Sequence, residues 1–244
     1  MAERAPKVRL FVEAPLAEGA AVALDREQAH YLFNVMRLGT GDAVLVFNGR
    51  EGEWRAEVAS AGRQGRLAVA ERTAVQRQPP DLWLMFAPVK KARTDFIVEK
   101  ATELGVARLV PVFTQNTNAE RLRTDRLRRI AIEAAEQCGE THLPEIAEPE
   151  RLGRMLGDWN GARRLMFCDE TRAARPAAAA LAEAGPGPWA VLIGPEGGFA
   201  HEEAARLRNL DFVVPVTLGP RVLRADTAAA ASLAVWQSVL GDWR

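Results

Sequence analysis

The sequence predicts an α/β protein in which a largely parallel sheet, covered on both faces by helices, follows a small β-barrel. Three observations lead there. From Leu82 onward, short apolar runs alternate with longer stretches of helical periodicity. Before that point, short strand-like segments are separated by turn signals at the spacing of a small barrel. Two late apolar runs also end in glycine- and proline-containing turns, the position at which open α/β sheets bind ligands.

The barrel strands are expected at Val8–Val12, Ala43–Phe47, Trp54–Ala59 and Arg66–Ala70. Asn48-Gly49 is a strong hairpin signal between the second and third of these, because both residues tolerate positive φ. One short helix is expected over Glu27–Met36. Gln76–Asp81, with Pro79-Pro80, reads as a linker. This gives a first domain over residues 1–75, a linker over 76–81 and a second domain over 82–244.

In the second domain, strands are expected at Leu82–Ala87, Arg108–Phe113, Leu165–Cys168, Ala190–Ile193 and Phe212–Leu218. Helices are expected at Thr94–Leu104, Asp125–Cys138, Pro176–Ala184, Glu202–Asn209 and Thr227–Leu240. The helix from Thr94 places Ile97, Val98, Ala101 and Leu104 on one stripe, and Gly105 ends it. Strands alternating with helices of this length indicate a parallel sheet with both faces covered.

The 244 residues carry 32 basic and 32 acidic side chains, so any affinity for nucleic acid has to come from local patches. Only Lys7, Lys90, Lys91 and Lys100 of the basic residues are lysine. The arginines suit bidentate phosphate recognition, and equally reflect a codon bias. Cys138 and Cys168 have no metal-ligand spacing and form no disulfide framework. Cys138, on an apolar helix face, is expected to be buried, and Cys168, at a strand end before Asp169-Glu170, to line the ligand pocket without reacting. His30, His142 and His201 are far apart, and no metal site is expected. No apolar run has the length of a membrane span, and Met1–Arg9 lacks the apolar core of a signal peptide. A cytoplasmic protein is expected.

The most informative stretch is Trp189–Phe199, a strand ending in Gly194-Pro195-Glu196-Gly197-Gly198. It lacks the lysine and hydroxyl of a phosphate-binding P-loop, and it lies too late and with the wrong spacing for a dinucleotide fingerprint. Glu196 would repel a polyphosphate. A cationic ligand fits the carboxylate better, and the glycines let the main chain approach it closely. A second loop, Gly219–Thr227, follows one βα unit later.

These motifs resemble the knotted SPOUT superfamily of S-adenosylmethionine-dependent RNA methyltransferases, and in particular the family that methylates N3 of a uridine in 16S ribosomal RNA. The resemblance runs in order through His30-Tyr31-Leu32, Val35–Leu38, Gly41-Asp42, Glu99–Val106, Ile130–Cys138, Ile193–Phe199 and Leu218–Thr227. It implies a PUA-like RNA-binding first domain, a C-terminal trefoil knot, S-adenosylmethionine as cofactor, and a homodimer acting on 16S rRNA within the small ribosomal subunit. Three positions depart from the family pattern. Ala200 stands where a helix-capping hydroxyl is usual, Ala225-Asp226 replaces Thr-Glu, and Glu140 replaces a basic residue.

The family motifs carry cofactor binding over to Ile193, Gly194, Gly198, Leu218, Gly219 and Leu223. Methylation at N3 requires loss of the imino proton, and the resulting charge spreads over O2, N3 and O4. Arg224 is the candidate to stabilise that charge, or else a helix-end arginine paired with Asp226. Glu196 is the candidate proton acceptor, or else a carboxylate bonded to neighbouring amides. RNA contacts are expected from Arg9, His30 and Arg37 in the first domain and from Lys90, Arg93 and Arg121 in the second. His30 also reads as an ordinary histidine of a short helix. Glu120–Arg129, with five arginines against two acids, is either a phosphate-contacting rim or a solvated helix face. Two other readings stand beside this one: a SPOUT enzyme modifying another RNA position, and a non-catalytic RNA-binding assembly factor.

Overall fold

A computed structural model of the chain describes residue 6 and residues 8–119, 121–171 and 173–243. Glu120 of the arginine-rich stretch, and Met1–Ala5 and Lys7 of the N-terminal reading, lie outside the described residues. The chain divides into two compact units, residues 1–78 with 135–143, and residues 79–134 with 144–244.

The first unit is a five-stranded, mostly antiparallel half-barrel. Its strands are β1 (Arg9–Phe11), β2 (Ala21–Ala23), β3 (Ala43–Phe47), β4 (Glu53–Ser60) and β5 (Arg66–Ala74), in the order β1-β3-β4-β5-β2. Only β1 and β3 pair in parallel. Register shifts along β4–β5 add the local twist that curls a sheet. Its core includes Leu10, Val44, Val46, Ala56, Val58 and Leu67, the inward residues of alternating strands. At the β3–β4 hairpin, Asn48 accepts from the amides of Arg50 and Glu51, both at 3.1 Å.

The expected helix over Glu27–Met36 is two structures. Helix α1 (Arg26–His30) starts with a capping box in which Asp25 accepts from the Gln28 amide at 2.8 Å. A π-helical turn follows over Tyr31–Val35, closed by the Met36 amide on the Tyr31 carbonyl at 2.9 Å. Arg37 then takes φ +57°, the sole positive value among the described non-glycine residues.

The second unit holds β6 (Leu82–Phe86), α2 (Lys91–Glu103), β7 (Arg108–Phe113), α3 (Thr124–Cys138), β8 (Glu145–Ile146), β9 (Glu150–Arg151) and α4 (Leu152–Gly157). It continues with β10 (Arg164–Cys168), β11 (Arg175–Pro176), α5 (Ala177–Ala184), β12 (Trp189–Ile193), α6 (His201–Arg208), β13 (Val213–Thr217) and α7 (Ala225–Val239). The sheet order is β11-β13-β10-β12-β6-β7-β8, and every pair is parallel. The last turn of α3, from Ala135, counts with the first unit.

Both sheet faces are buried, and the period of two along each strand explains how. Leu82, Leu84 and Phe86 of β6 join Trp189, Val191 and Ile193 of β12 in one core with Ile97 and Val98 of α2, Leu181 of α5, and Leu233 and Trp236 of α7. Met85, Ala190 and Leu192 face the other way, toward Leu152 and Leu156 of α4 and Leu207 of α6. No helix of the described residues is long and apolar enough to cross a membrane.

Candidate functional site

Parallel pairing aligns the carboxyl ends of three neighbouring strands. Phe167 of β10 sits opposite Leu192 of β12, and Cys168 opposite Val216 of β13. The chain after each strand therefore emerges at one edge of the sheet. A cleft opens there, with about 590 Å³ of empty space when its open mouth is counted. Ile193, Gly194 and Gly198 line it from the first glycine loop, and Leu218, Gly219 and Leu223 from the second. All six expected cofactor residues thus meet in one place.

The first loop is braced on several sides. A Cβ on Gly194 would lie 2.6 Å from the Phe199 ring, which in turn packs edge-on against Phe167 at 5.2 Å between centroids. Gly198 has φ +69°, and a Cβ there would fall 2.2 Å from the Glu170 carboxylate. The Asn116 amide donates to the Gly198 carbonyl at 3.1 Å. Helix α6 begins at Ala200 without a capping hydroxyl, a deficit of roughly 1 kcal/mol. Glu203 offsets part of it by accepting from the Ala200 amide at 3.3 Å, and from the Gln115 amide at 3.0 Å.

The third wall comes from the turn after β10, of which the sequence reading placed only Cys168 at the pocket. Cys168, Asp169 and Glu170 line the cleft. Asp169 is 5% exposed and bound by Arg208 at 2.7 and 3.0 Å, and it also accepts from the Thr171 amide and hydroxyl. Burial pushes its pKa up, but the bonds from Arg208 and Thr171 outweigh that and leave it below the ordinary carboxylate value. With Asp169 so engaged, Glu170 is the carboxylate left facing the cleft. Burial drives the Cys168 thiol up to about 12, against a lowering bond with Ser232, so it is a wall rather than a nucleophile at neutral pH.

The expected catalytic pair is not gathered in the cleft. Glu196 points away from the lining and forms an ion pair with Arg93. That contact removes the geometric basis for a general base. Arg224 is exposed at the start of α7, and Arg221 is the arginine that lines the cleft. The suggested Arg224–Asp226 pair gives way to Arg93, whose Nε lies 3.9 Å from Asp226.

The RNA candidates divide similarly. Arg9 is corrected to a structural residue, because its guanidinium is engaged within the first unit. It pairs with Glu53 at 2.6 Å, donates to the carbonyls of Ala135 and Glu140 (the latter at 2.7 Å), and lies 3.9 Å over the Phe47 ring. Its side chain is only 10% exposed, and three of its five N–H groups are already bonded inside the unit, which disfavours a phosphate contact. Arg93 is likewise occupied by carboxylates. His30 and Arg37 are exposed, beside exposed Tyr31, Val35 and Met36 on the π-turn. Lys90 is exposed at the start of α2. Arg121 is exposed before α3, where Arg123 and Arg129 share Asp125 at 2.6 and 3.6 Å, and Arg126 binds Asp95. Cys138 is exposed rather than buried.

A family model described as an RNA methyltransferase domain matches residues 76–237, and one described as an RNA methyltransferase PUA domain matches residues 24–67. The ribosomal RNA small subunit methyltransferase E of Synechocystis is 32% identical, over 95% of this chain and 78% of its own. The protein of that name from Mycobacterium tuberculosis is 28% identical, over 92% and 89% respectively. A Legionella pneumophila protein solved with bound SAM superposes with a TM-score of 0.87 at 28% identity, over 96% of this chain and 98% of its own.

Proposed function

This chain belongs to the RNA methyltransferase family, and from that membership we propose that it methylates N3 of a uridine in 16S ribosomal RNA, using S-adenosylmethionine. The observation that carries the reading is the cleft itself. Six residues from two separate glycine-containing motifs converge on it, in a chain whose relatives bear the name of a small-subunit rRNA methyltransferase.

The cleft fits such a cofactor. Glycines at 194 and 198 let the loop pack closely against the Phe199 ring and the Glu170 carboxylate, and backbone groups of that loop can hold an adenosine between Ile193, Leu218 and Leu223. Glu170 supplies a carboxylate for a cationic group, and Arg221 a cation for a carboxylate. The cofactor when bound supplies an electrophilic methyl group on a sulfonium. The chain's part is to place N3 in line with it and to stabilise charge on O2 and O4 as the imino proton leaves. Arg224 and Arg221, both in the second loop, are the cations suited to that task. Water at the open mouth takes the proton in this reading, since of the two carboxylates among the described lining residues Asp169 is bound by Arg208 and Glu170 is assigned to the cofactor's cationic group.

The exposed Tyr31–Arg37 segment and Lys90 with Arg121 form the RNA-contacting surfaces in this reading. An aromatic ring beside cationic side chains offers stacking together with phosphate attraction. Residues 1–75 serve as the RNA-binding domain and 82–244 as the catalytic domain, joined through 76–81. The protein works as a cytoplasmic homodimer on rRNA of the small subunit. A threaded, knotted C-terminus belongs to the same reading, through the resemblance to the knotted superfamily.

The test is mass-spectrometric mapping of 3-methyluridine in 16S rRNA from a deletion strain. Loss of one modified site, restored by the gene in trans, is the expected result. Persistence of every N3-methylated uridine would refute the assignment and leave the RNA-binding assembly factor as the surviving reading.

A further inference from the structure

Arg93 joins three parts of the chain that are distant in sequence. It stands in the first turn of α2, its guanidinium binds Glu196 in the first glycine loop, and its Nε lies 3.9 Å from Asp226 in the first turn of α7. All three side chains are partly buried, at 29%, 35% and 21% exposure. Glu196 is the residue between Pro195 and the two glycines, and Asp226 directly follows the second cofactor loop. One cation therefore fastens the outer ends of both loops whose inner residues line the cleft.

We propose that Arg93 is a positioning residue that clamps the two cofactor loops together, rather than a phosphate contact. This rests on the cofactor reading above. The two carboxylates support it: facing Glu196 and Asp226, the guanidinium's charge is already compensated within the protein. Packing supports it as well. Nothing else in the Gly194–Gly198 loop offers a charged side chain, and its glycines carry high conformational entropy when unrestrained. A tether at its exposed end keeps the loop in its binding shape before ligand arrives, so less ordering is charged against binding. Asp226 acquires a purpose by the same contact. Its shorter side chain, where the resembled family carries glutamate, still reaches the 3.9 Å separation.

Titration calorimetry with S-adenosylmethionine on the full-length protein, with RNA binding measured separately at saturating cofactor, tests the clamp. Arg93→Gln is expected to weaken the cofactor about tenfold, or ~1.4 kcal/mol, and Arg93→Lys to recover most of that loss. Glu196→Gln is expected to give a similar loss, and the double variant no more than either single one, because both remove one shared contact. Circular dichroism of each variant checks the fold, and Arg93→Lys keeps the test alive if Arg93→Gln is unstable. Unchanged cofactor affinity in Arg93→Gln, or additive losses in the double variant, would overturn the clamp. So would a lowered RNA affinity with a reduced salt slope and intact cofactor binding, which marks a phosphate contact. Failure of the wild-type protein to bind the cofactor would strike the cofactor reading itself, and is distinguishable from all of these.

Discussion

Gly194 is where the backbone of the site has least freedom to change. Its neighbour Phe199 is held edge-on by Phe167, so a side chain at 194 meets a ring that cannot swing aside cheaply. Gly194→Val is expected to abolish measurable cofactor binding by calorimetry, and to lower the melting transition by the few degrees that ~1–3 kcal/mol of overpacking implies while leaving the circular dichroism of the fold unchanged. Normal affinity in that variant would mean that the cleft is not the cofactor site. The same scale shows what a linear reading can and cannot find. The two loop motifs were legible because glycine, proline and strand ends are local signals. Glu170, Arg221 and Asn116 were not assigned, because each contributes one side chain from a turn or loop and follows no periodic pattern. Arg9 misled for a related reason: a motif places an arginine at a position, but only the fold shows that the side chain is buried against Glu53 and two carbonyls.

The turn between β10 and β11 is an element fixed mainly by one side chain. Asp169 ties it to Arg208 in α6 and to its own Thr171, and this presents Glu170 to the cleft. Because the folded pKa of Asp169 lies below its ordinary value of 3.8, its contribution is fully present above that value. It is lost as pH falls through the lower folded pKa. Arg208→Ala is therefore expected to be destabilised at neutral pH by about 2 kcal/mol, the scale of a hydrogen bond to a charged group. Urea midpoints measured against pH should show that deficit shrinking as the solution is acidified below the ordinary carboxylate range. A deficit that stays constant into strong acid would assign the loss to packing instead. Among the larger elements, the five long parallel strands and their helices were legible, since buried strands read as apolar runs and the helices as stripes. The π-turn after α1 was not, because its apolar spacing matches an α-helix and the insertion lies in the hydrogen bonds. Helix α4 was missed as well, being six residues with glycine at Gly153 and Gly157, which lowers helix propensity by about 1 kcal/mol each.

At the scale of the molecule, the second cofactor loop carries Val222, which is 71% exposed and also lines the cleft. In the homodimer proposed above, this loop residue is the one assigned to the contact with the second chain. If the active form is a dimer closed over this loop, sedimentation velocity should give twice the 26.7 kDa of one chain. Val222→Asp should then shift the mass toward the monomer, because a buried, unpaired carboxylate opposes association. Cofactor affinity should fall with it, and should depend on protein concentration in the variant but not in wild type, since ligand and subunit binding are then linked. A monomeric wild-type protein with full methyl-transfer activity would exclude this assembly. A variant that lost the cofactor yet kept the dimer mass would restrict Val222 to the ligand itself. The coupling thus separates a loop that is completed by a second chain from one that is complete alone.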